Sequence, residues 1–296
     1  MAKAISIFKI SGTIDALSFR QTEFGMEVGC KPGPSREKVL TADSFELTRR
    51  NANEFKLAIK NAKLLRKAFG EALKSVKCSG LNGQVNGLLY KVGRSDEQSL
   101  YGYRHAVLGD VKIMEGFEFN KQVRLQEALP VAVEHSMDVT NGHIQLRVPV
   151  CIIRQKRKLF PQGATHVRIV SCAALVDFEK DCYAGDVQRS GLLPLHKKTS
   201  GPIELAHRIA TQEGEVLVHA MGIEFYKVAD GQETLLKGGA LKILAAARFT
   251  PLEQKPVAEE NSKVTNHSIP LPLKDLHCWR DYHFTYMPDR VLTKPG

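Results

Sequence analysis

The densest group of candidate metal ligands in this 296-residue chain is His277, Cys278 and His283, with Asp281 between them. One cysteine and two histidines without a second ligand pair fall short of the paired spacings that hold tetrahedral zinc, so no metal site is expected. The ten histidines are otherwise scattered. His166 and His219 fall inside apolar, strand-like runs and read as sheet-face residues rather than bases. No phosphate-cradling G-x-x-x-x-G-K-[ST], no dinucleotide G-x-G-x-x-G, no H-E-x-x-H and no G-x-S-x-G nucleophile elbow occurs. Carboxylate pairs that meet only in the folded chain stay open. The expectation is no catalytic residue, no cofactor and no enzymatic activity.

Charge is the stronger chemical signal. Lys plus Arg number 42 against 32 Asp plus Glu, a formal +10. Between Lys31 and Lys77 lie twelve basic and five acidic residues, so +7 of that excess sits in one stretch. A basic helix preceded by a basic arm could track phosphates, each contact adding salt-dependent, sequence-independent affinity. Arg49, Arg50, Lys63 and Lys67 are the candidate nucleic-acid contacts. The competing reading is a solvated helix face, because the aromatics here repeat on the apolar side and do not interleave as stacking platforms.

The elements that must position such residues follow from periodicity. Ala4 to Ile10, Ile14 to Phe19 and Phe24 to Cys30 read as short strands around Gly12, an N-terminal hairpin or small meander. Such a unit cannot bury a core alone and must cover something else. Pro32-Gly33-Pro34 makes the connector to Lys38 an extended arm. Asp43-Ser-Phe-Glu46 is a capping box for a helix from about Ser44, with Phe55, Ile59, Ala62, Phe69, Leu73 and Val76 along one apolar face and a joint at Gly70. A shorter helix is expected over 82–90. From Val123 the period changes to two. The run 131–133 pairs with 144–150 through Asn141-Gly142, a type I′ turn signal, and 167–176, 215–226 and 239–248 are further strands, with Asp230-Gly231 as a turn.

The six cysteines show no C-x-x-C and read as reduced thiols, with Cys151 and Cys172 as small buried hydrophobes. No run of eighteen apolar residues exists, and the first thirty residues lack a basic start followed by an apolar core. No membrane span and a cytoplasmic location are expected. A composition of 43% hydrophobic and 25% charged residues excludes disorder as the main state. The last 46 residues hold six of thirteen prolines, yet also Trp279, Tyr282, Phe284 and Tyr286, more large apolar side chains than a solvated linker carries.

Gly12 to Phe19, Ser35 to Phe55, Gly116 to Asn120 and Gly163 to Val170 together resemble a family of Bacteroidota proteins. The resemblance spans about residues 4–248 and implies no reaction and no site residue, because no activity is established for that family.

The reading as a whole is an α+β chain. An antiparallel β-sandwich, immunoglobulin-like or jelly-roll-like, occupies 120–250. A hairpin and extended arm (1–40) and a helical segment (41–119) precede it, and a proline-rich extended tail (251–296) follows. The expected function is a self-assembling structural protein, a subunit of a filament, tube or shell whose terminal extensions reach neighbouring copies. Ile5, Phe8, Ile10, Phe19, Trp279, Tyr282, Phe284 and Tyr286 are the expected subunit contacts. The partner is then the chain itself. Nucleic-acid binding through 31–77 and a carbohydrate- or peptide-binding β-sandwich module are the alternatives.

Overall fold

The computed structural model describes residues 2–4, 10–23, 25–30, 33–76, 80–154 and 159–249, all within a compact unit spanning 1–252. Four short strands come first: β1 (Ala2–Ala4), β2 (Gly12–Ile14), β3 (Leu17–Thr22) and β4 (Gly25–Cys30). They form an antiparallel sheet in the order β1-β4-β3-β2, one strand larger than the small meander that the three expected strands would make. Asp15 and Ala16 make the β2–β3 turn, with Asp15 at a positive φ of 52°, a conformation Asp tolerates better than most side chains. Directly opposed residues of an antiparallel pair share a face. Ile14 opposes Leu17, Leu17 opposes Cys30, Phe19 opposes Val28 and Gln21 opposes Met26, whereas Thr13 opposes Ser18 and Arg20 opposes Glu27. One face of this sheet is therefore almost wholly apolar and the other polar.

The connector is less extended than its prolines suggest. Helix α1 (Arg36–Thr41) starts at Ser35, whose hydroxyl accepts from the Lys38 N–H at 3.2 Å. Asp43–Phe45 is a single 3-10 turn, and helix α2 (Glu46–Ala68) follows with no side-chain cap. The capping box at Asp43 is thus not made, because the turn places Asp43 too early to cap α2. The chain breaks at Phe69, and α3 (Gly70–Leu73) is one further turn. Helix α4 (Leu81–Arg94) is longer than the expected 82–90.

Ala62, Phe69 and Val76 of the expected apolar face are buried, but the first half of α2 is turned away from the face read in the sequence. Phe55 and Ile59 are 46% and 39% exposed, and the buried line runs through Glu54, Ala58, Asn61, Ala62, Leu65 and Ala68. Sequence pattern alone disfavours this line because it contains a carboxylate. Glu54 is tolerated because it is fully paired: Oε1 accepts from Arg104 Nε at 2.7 Å and from the Gly102 N–H at 2.9 Å, and Oε2 accepts from Arg104 Nη2 at 3.0 Å. Burial pushes this carboxyl up, but the bonds from Arg104 and Gly102 and the Arg104 charge outweigh it and hold the group below the usual carboxylate range.

After a 3-10 turn at Val111–Met114 and the one-turn helix α5 (Leu125–Ala128), the chain is extended. Strands β5 (Glu134–Asp138), β6 (His143–Val148) and β10 (Ile203–Arg208) form a three-stranded antiparallel sheet, order β10-β6-β5. Strands β7 (His166–Asp177), β8 (Cys182–Arg189), β9 (Leu193–Pro194), β11 (Val216–Ala229) and β12 (Gln232–Arg248) form a five-stranded one, order β12-β11-β7-β8 with β9 on β7. A hairpin forms around Asn141-Gly142, but its first strand is 134–138 and not 131–133, and it pairs Asp138 with His143 through a four-residue loop, not a two-residue Asn-Gly turn. The two-residue turn with both φ angles positive is Asp230-Gly231, at 52° and 76°, between β11 and β12.

Strands β7 and β11 are buried on both faces, which is why they read as nearly continuous apolar runs. Alternation still sorts their side chains. Val170, Cys172, Ala174, Val176, Val216, Val218 and Ala220 join Leu65, Phe69, Leu89 and Val92 of the helices. Val167, Ile169, Met221, Ile223 and Phe225 join Leu146 and Val148 of β6. Helices cover one face of the five-stranded sheet and the three-stranded sheet covers the other. The architecture is α+β with three antiparallel sheets. Part of the outer edge of β12 is occupied by the chain at 116–119, where the Gly116 and Phe119 N–H groups donate to Ile243 and Leu241 and Ile243 donates to Phe117. No described helix is long and apolar enough to cross a membrane.

Candidate functional site

Three features have the chemistry to act: a buried polar chain between the two body sheets, a lysine line on α2, and the apolar face of the N-terminal sheet. The polar chain is the most specific. β7, β8, β10 and β11 each contribute one side chain to it. Ser171 and His219 lie on the face of the five-stranded sheet that turns to the three-stranded one, Asp186 stands opposite Ala173 on that same face, and His207 reaches in from β10. Asp186 Oδ2 lies 2.7 Å from His207 Nδ1, His207 Nε2 lies 2.8 Å from Ser171 Oγ, and Ser171 Oγ lies 3.0 Å from His219 Nε2. His135 of β5 continues the line, its ring centroid 5.9 Å from that of His219.

Burial grades along this chain. The Asp186 side chain is 42% exposed and that of His207 0%; Ser171 and His219 are fully enclosed. The bond from His207 holds the Asp186 carboxyl below the usual range, against a smaller opposing effect of burial. Burial first, then His207 and His135, push the His219 imidazole down to about 3. His219 is therefore neutral at physiological pH.

A carboxylate, imidazole and hydroxyl in this order share their connectivity with nucleophilic triads. The geometry differs in two respects. Ser171 Oγ is enclosed, with no approach for an acyl carbon, and it is shared by two imidazoles instead of one. What the arrangement does is join sheet to sheet by directional bonds. His219 is the sheet-face residue that its apolar run predicts, but nothing in its sequence surroundings links it to Ser171 or His207. The available signal was polarity: Ser171 and His219 interrupt strands buried on both faces, and such groups are hydrogen-bonded in folded proteins.

Of the expected nucleic-acid contacts, Arg49 is engaged internally, its Nη1 donating to the carbonyls of Val39 and Ala42 at 2.9 and 2.8 Å. Arg50 pairs with Glu46 one turn earlier. Lys63 is exposed, and Lys67 Nζ sits 5.4 Å from the centre of the Tyr183 ring. Lys63 and Lys67 belong with Lys56 and Lys60 to one exposed line, at steps of four, three and four. Lys60 pairs with Asp181.

Of the expected subunit contacts, Ile10 is 41% exposed and Phe19 lies half-buried on the apolar face of the N-terminal sheet. Ile5, Phe8, Trp279, Tyr282, Phe284 and Tyr286 lie outside the described residues, as do His277, Cys278 and His283. Among the described cysteines, Cys30, Cys151, Cys172 and Cys182 are free thiols, and burial pushes the Cys172 thiol well up. No group of three or more metal-ligating side chains occurs among the described residues.

The fold and its sites define an α+β protein of three antiparallel sheets with a buried carboxylate–imidazole–hydroxyl–imidazole link. No protein-family model matches the chain, and no curated protein matches it.

Proposed function

We propose that the chain is a structural, self-assembling protein whose N-terminal sheet docks on another copy. The register of β1 to β4 carries this reading. It places Ile14, Leu17, Phe19, Met26, Val28 and Cys30 on one face, and none of these residues belongs to a buried cluster of the described body. Ile14 is 57% and Leu17 45% exposed. A small sheet with one apolar face gains stability only by covering that face, and contiguous exposed apolar surface rimmed by polar residues marks an interaction site. If this sheet meets a different surface of the next copy, the contact is head-to-tail and propagates into a filament, tube or shell.

The test is light scattering with negative-stain microscopy on the full chain and on Ile14→Glu/Leu17→Lys, across a concentration series. Regular assemblies in the wild type that dissociate in the double variant support the reading. A wild type that stays a single chain at every concentration rejects it.

A second reading, binding to a polyanion such as nucleic acid, is favoured by the line of Lys56, Lys60, Lys63 and Lys67. Four ammonium groups spaced along about three turns of one helix match the repeated phosphates of a backbone.

A further inference from the structure

With His207 neutral, hydrogen-bond chemistry fixes every donor and acceptor of the buried chain between the sheets. The ionised Asp186 only accepts, so His207 donates to it from Nδ1. Nε2 of His207 then accepts the Ser171 hydroxyl proton, and Ser171 Oγ accepts from Nε2–H of His219. This leaves His219 Nδ1 as a bare lone pair, and that buried atom has no hydrogen-bond partner among the described residues.

An added proton has two routes, and both end at the same atom. Placed directly on His219, it makes Nδ1 an enclosed N–H with no acceptor. Placed on His207, it turns Nε2 into a donor, so the Ser171 hydroxyl must rotate to donate to His219 Nε2. The His219 proton is then displaced to Nδ1, again with no acceptor. By either route the closed arrangement leaves the added proton at His219 Nδ1 with no acceptor among the described residues.

The surroundings do not relieve this. β10 supplies His207, at a ring-centroid distance of 6.3 Å, and β5 supplies His135 at 5.9 Å, so a charged His219 would face two further imidazoles. Asp186 on β8 already binds His207. Ile144 of β6 stands in register with His207, and Ala245 of β12 with His219. At this end the sheets share a small cluster around Leu175, four buried side chains with four partly buried ones against them, and His135 is exposed and Asp186 partly open to water. Water can therefore enter at either end of the chain as the sheets separate.

We propose that the chain Asp186, His207, Ser171 and His219 is an acid-opened latch: proton uptake releases the three-stranded sheet from β7 and β11, while the helices stay seated on the opposite face. The device belongs to the body of the protein and is independent of the N-terminal sheet.

Hydrogen exchange followed by mass spectrometry on the full chain at pH 7.5 and 5.5, corrected for the intrinsic pH dependence of exchange, tests it. His219, titrating near the ordinary 6.5 of an imidazole when open and held well below it when closed, by itself shifts the opening equilibrium by at least about tenfold over that interval. Exchange in β5, β6 and β10 should accelerate by about that factor, with α2 and α4 unchanged, and His219→Leu should abolish the acceleration. No acceleration in the wild type, or the same acceleration in His219→Leu, overturns the latch. Should His219→Leu fail to fold, imidazole NMR of the wild type decides. Titration of His219 together with loss of protection in the three-stranded sheet supports the latch, and titration with that protection intact overturns it.

Discussion

A Cβ built on Gly185 would lie 2.0 Å from the carbonyl oxygen of Ala68, so strand β8 and the last turn of α2 touch backbone to backbone. No side chain can be interposed there. The helix can rest on the strand because one position on β8 carries none, and Ala68 itself is small.

Gly185→Ala must therefore push α2 from β8 or bend the strand. Overpacking of this kind costs about 1–3 kcal/mol. Gly191→Ala, whose Cβ would meet nothing within 4 Å, is the matched control and should stay within about 0.5 kcal/mol of wild type. Urea denaturation of the two variants checks the pair. Equal stability would mean that α2 does not rest on β8 as described.

The Glu54–Arg104 pair sets a second expectation. The Glu54 side chain is 2% exposed and that of Arg104 19%. Arg104→Met strands a buried carboxylate with only the Gly102 N–H, and breaking such a pair from one side costs roughly 3–5 kcal/mol. Glu54→Leu/Arg104→Met removes both charges and should recover a substantial part of that loss. The folded-state pKa of Glu54 lies below its unfolded value, so its contribution is complete above the unfolded value near 4.5 and disappears as the pH falls through the folded one. Denaturation of wild type and Glu54→Gln at pH 7 and pH 4 checks the sign, since the difference between them should shrink in acid.

How much of this was legible in the sequence depends on where the deciding information lies. β7, β11 and β12 announce themselves as long apolar runs, and Asp230-Gly231 names its own turn. β8 and β10 do not, because their outer residues are polar and their inner ones few: Asp186 and His207 face inward but look like surface residues in sequence. The first half of α2 turns a different face inward from the one periodicity predicts, because Glu54 looks like a solvent residue until Arg104, fifty positions later, is brought beside it. Every member of the buried polar chain comes from a different strand, and its closest two in sequence are twelve residues apart. Spacing along the chain could not have assembled it.

For the lysine line, the expected outcome is affinity for single- or double-stranded nucleic acid that falls steeply with salt and does not depend on sequence. Lys56→Glu/Lys63→Glu/Lys67→Glu should abolish binding in filter or anisotropy assays, while Arg49→Gln should leave affinity intact and destabilise the start of α2, since its donors serve Val39 and Ala42. Binding that survives the triple reversal would leave the line as a solvated face.

The last expectation separates the hydroxyl from the imidazole within the buried chain. Ser171→Ala leaves His207 Nε2 without its donor and the His219 Nε2–H without its acceptor, while His219 Nδ1 was already unpartnered. Each newly orphaned buried group costs about 1–3 kcal/mol, so the change should be severe for the loss of one oxygen. His219→Leu should be the milder change. It removes the unpartnered nitrogen along with the ring and leaves the Ser171 hydroxyl still donating to His207, so at pH 7.5 it should cost less than Ser171→Ala although it alters far more atoms. At pH 5.5 the order should widen, because only the chain that keeps His219 retains the group that resists protonation. Denaturation midpoints of the two variants at both pH values check this. A His219→Leu protein less stable than Ser171→Ala at pH 7.5 would show that the ring's packing, and not its hydrogen bonding, holds the sheets together.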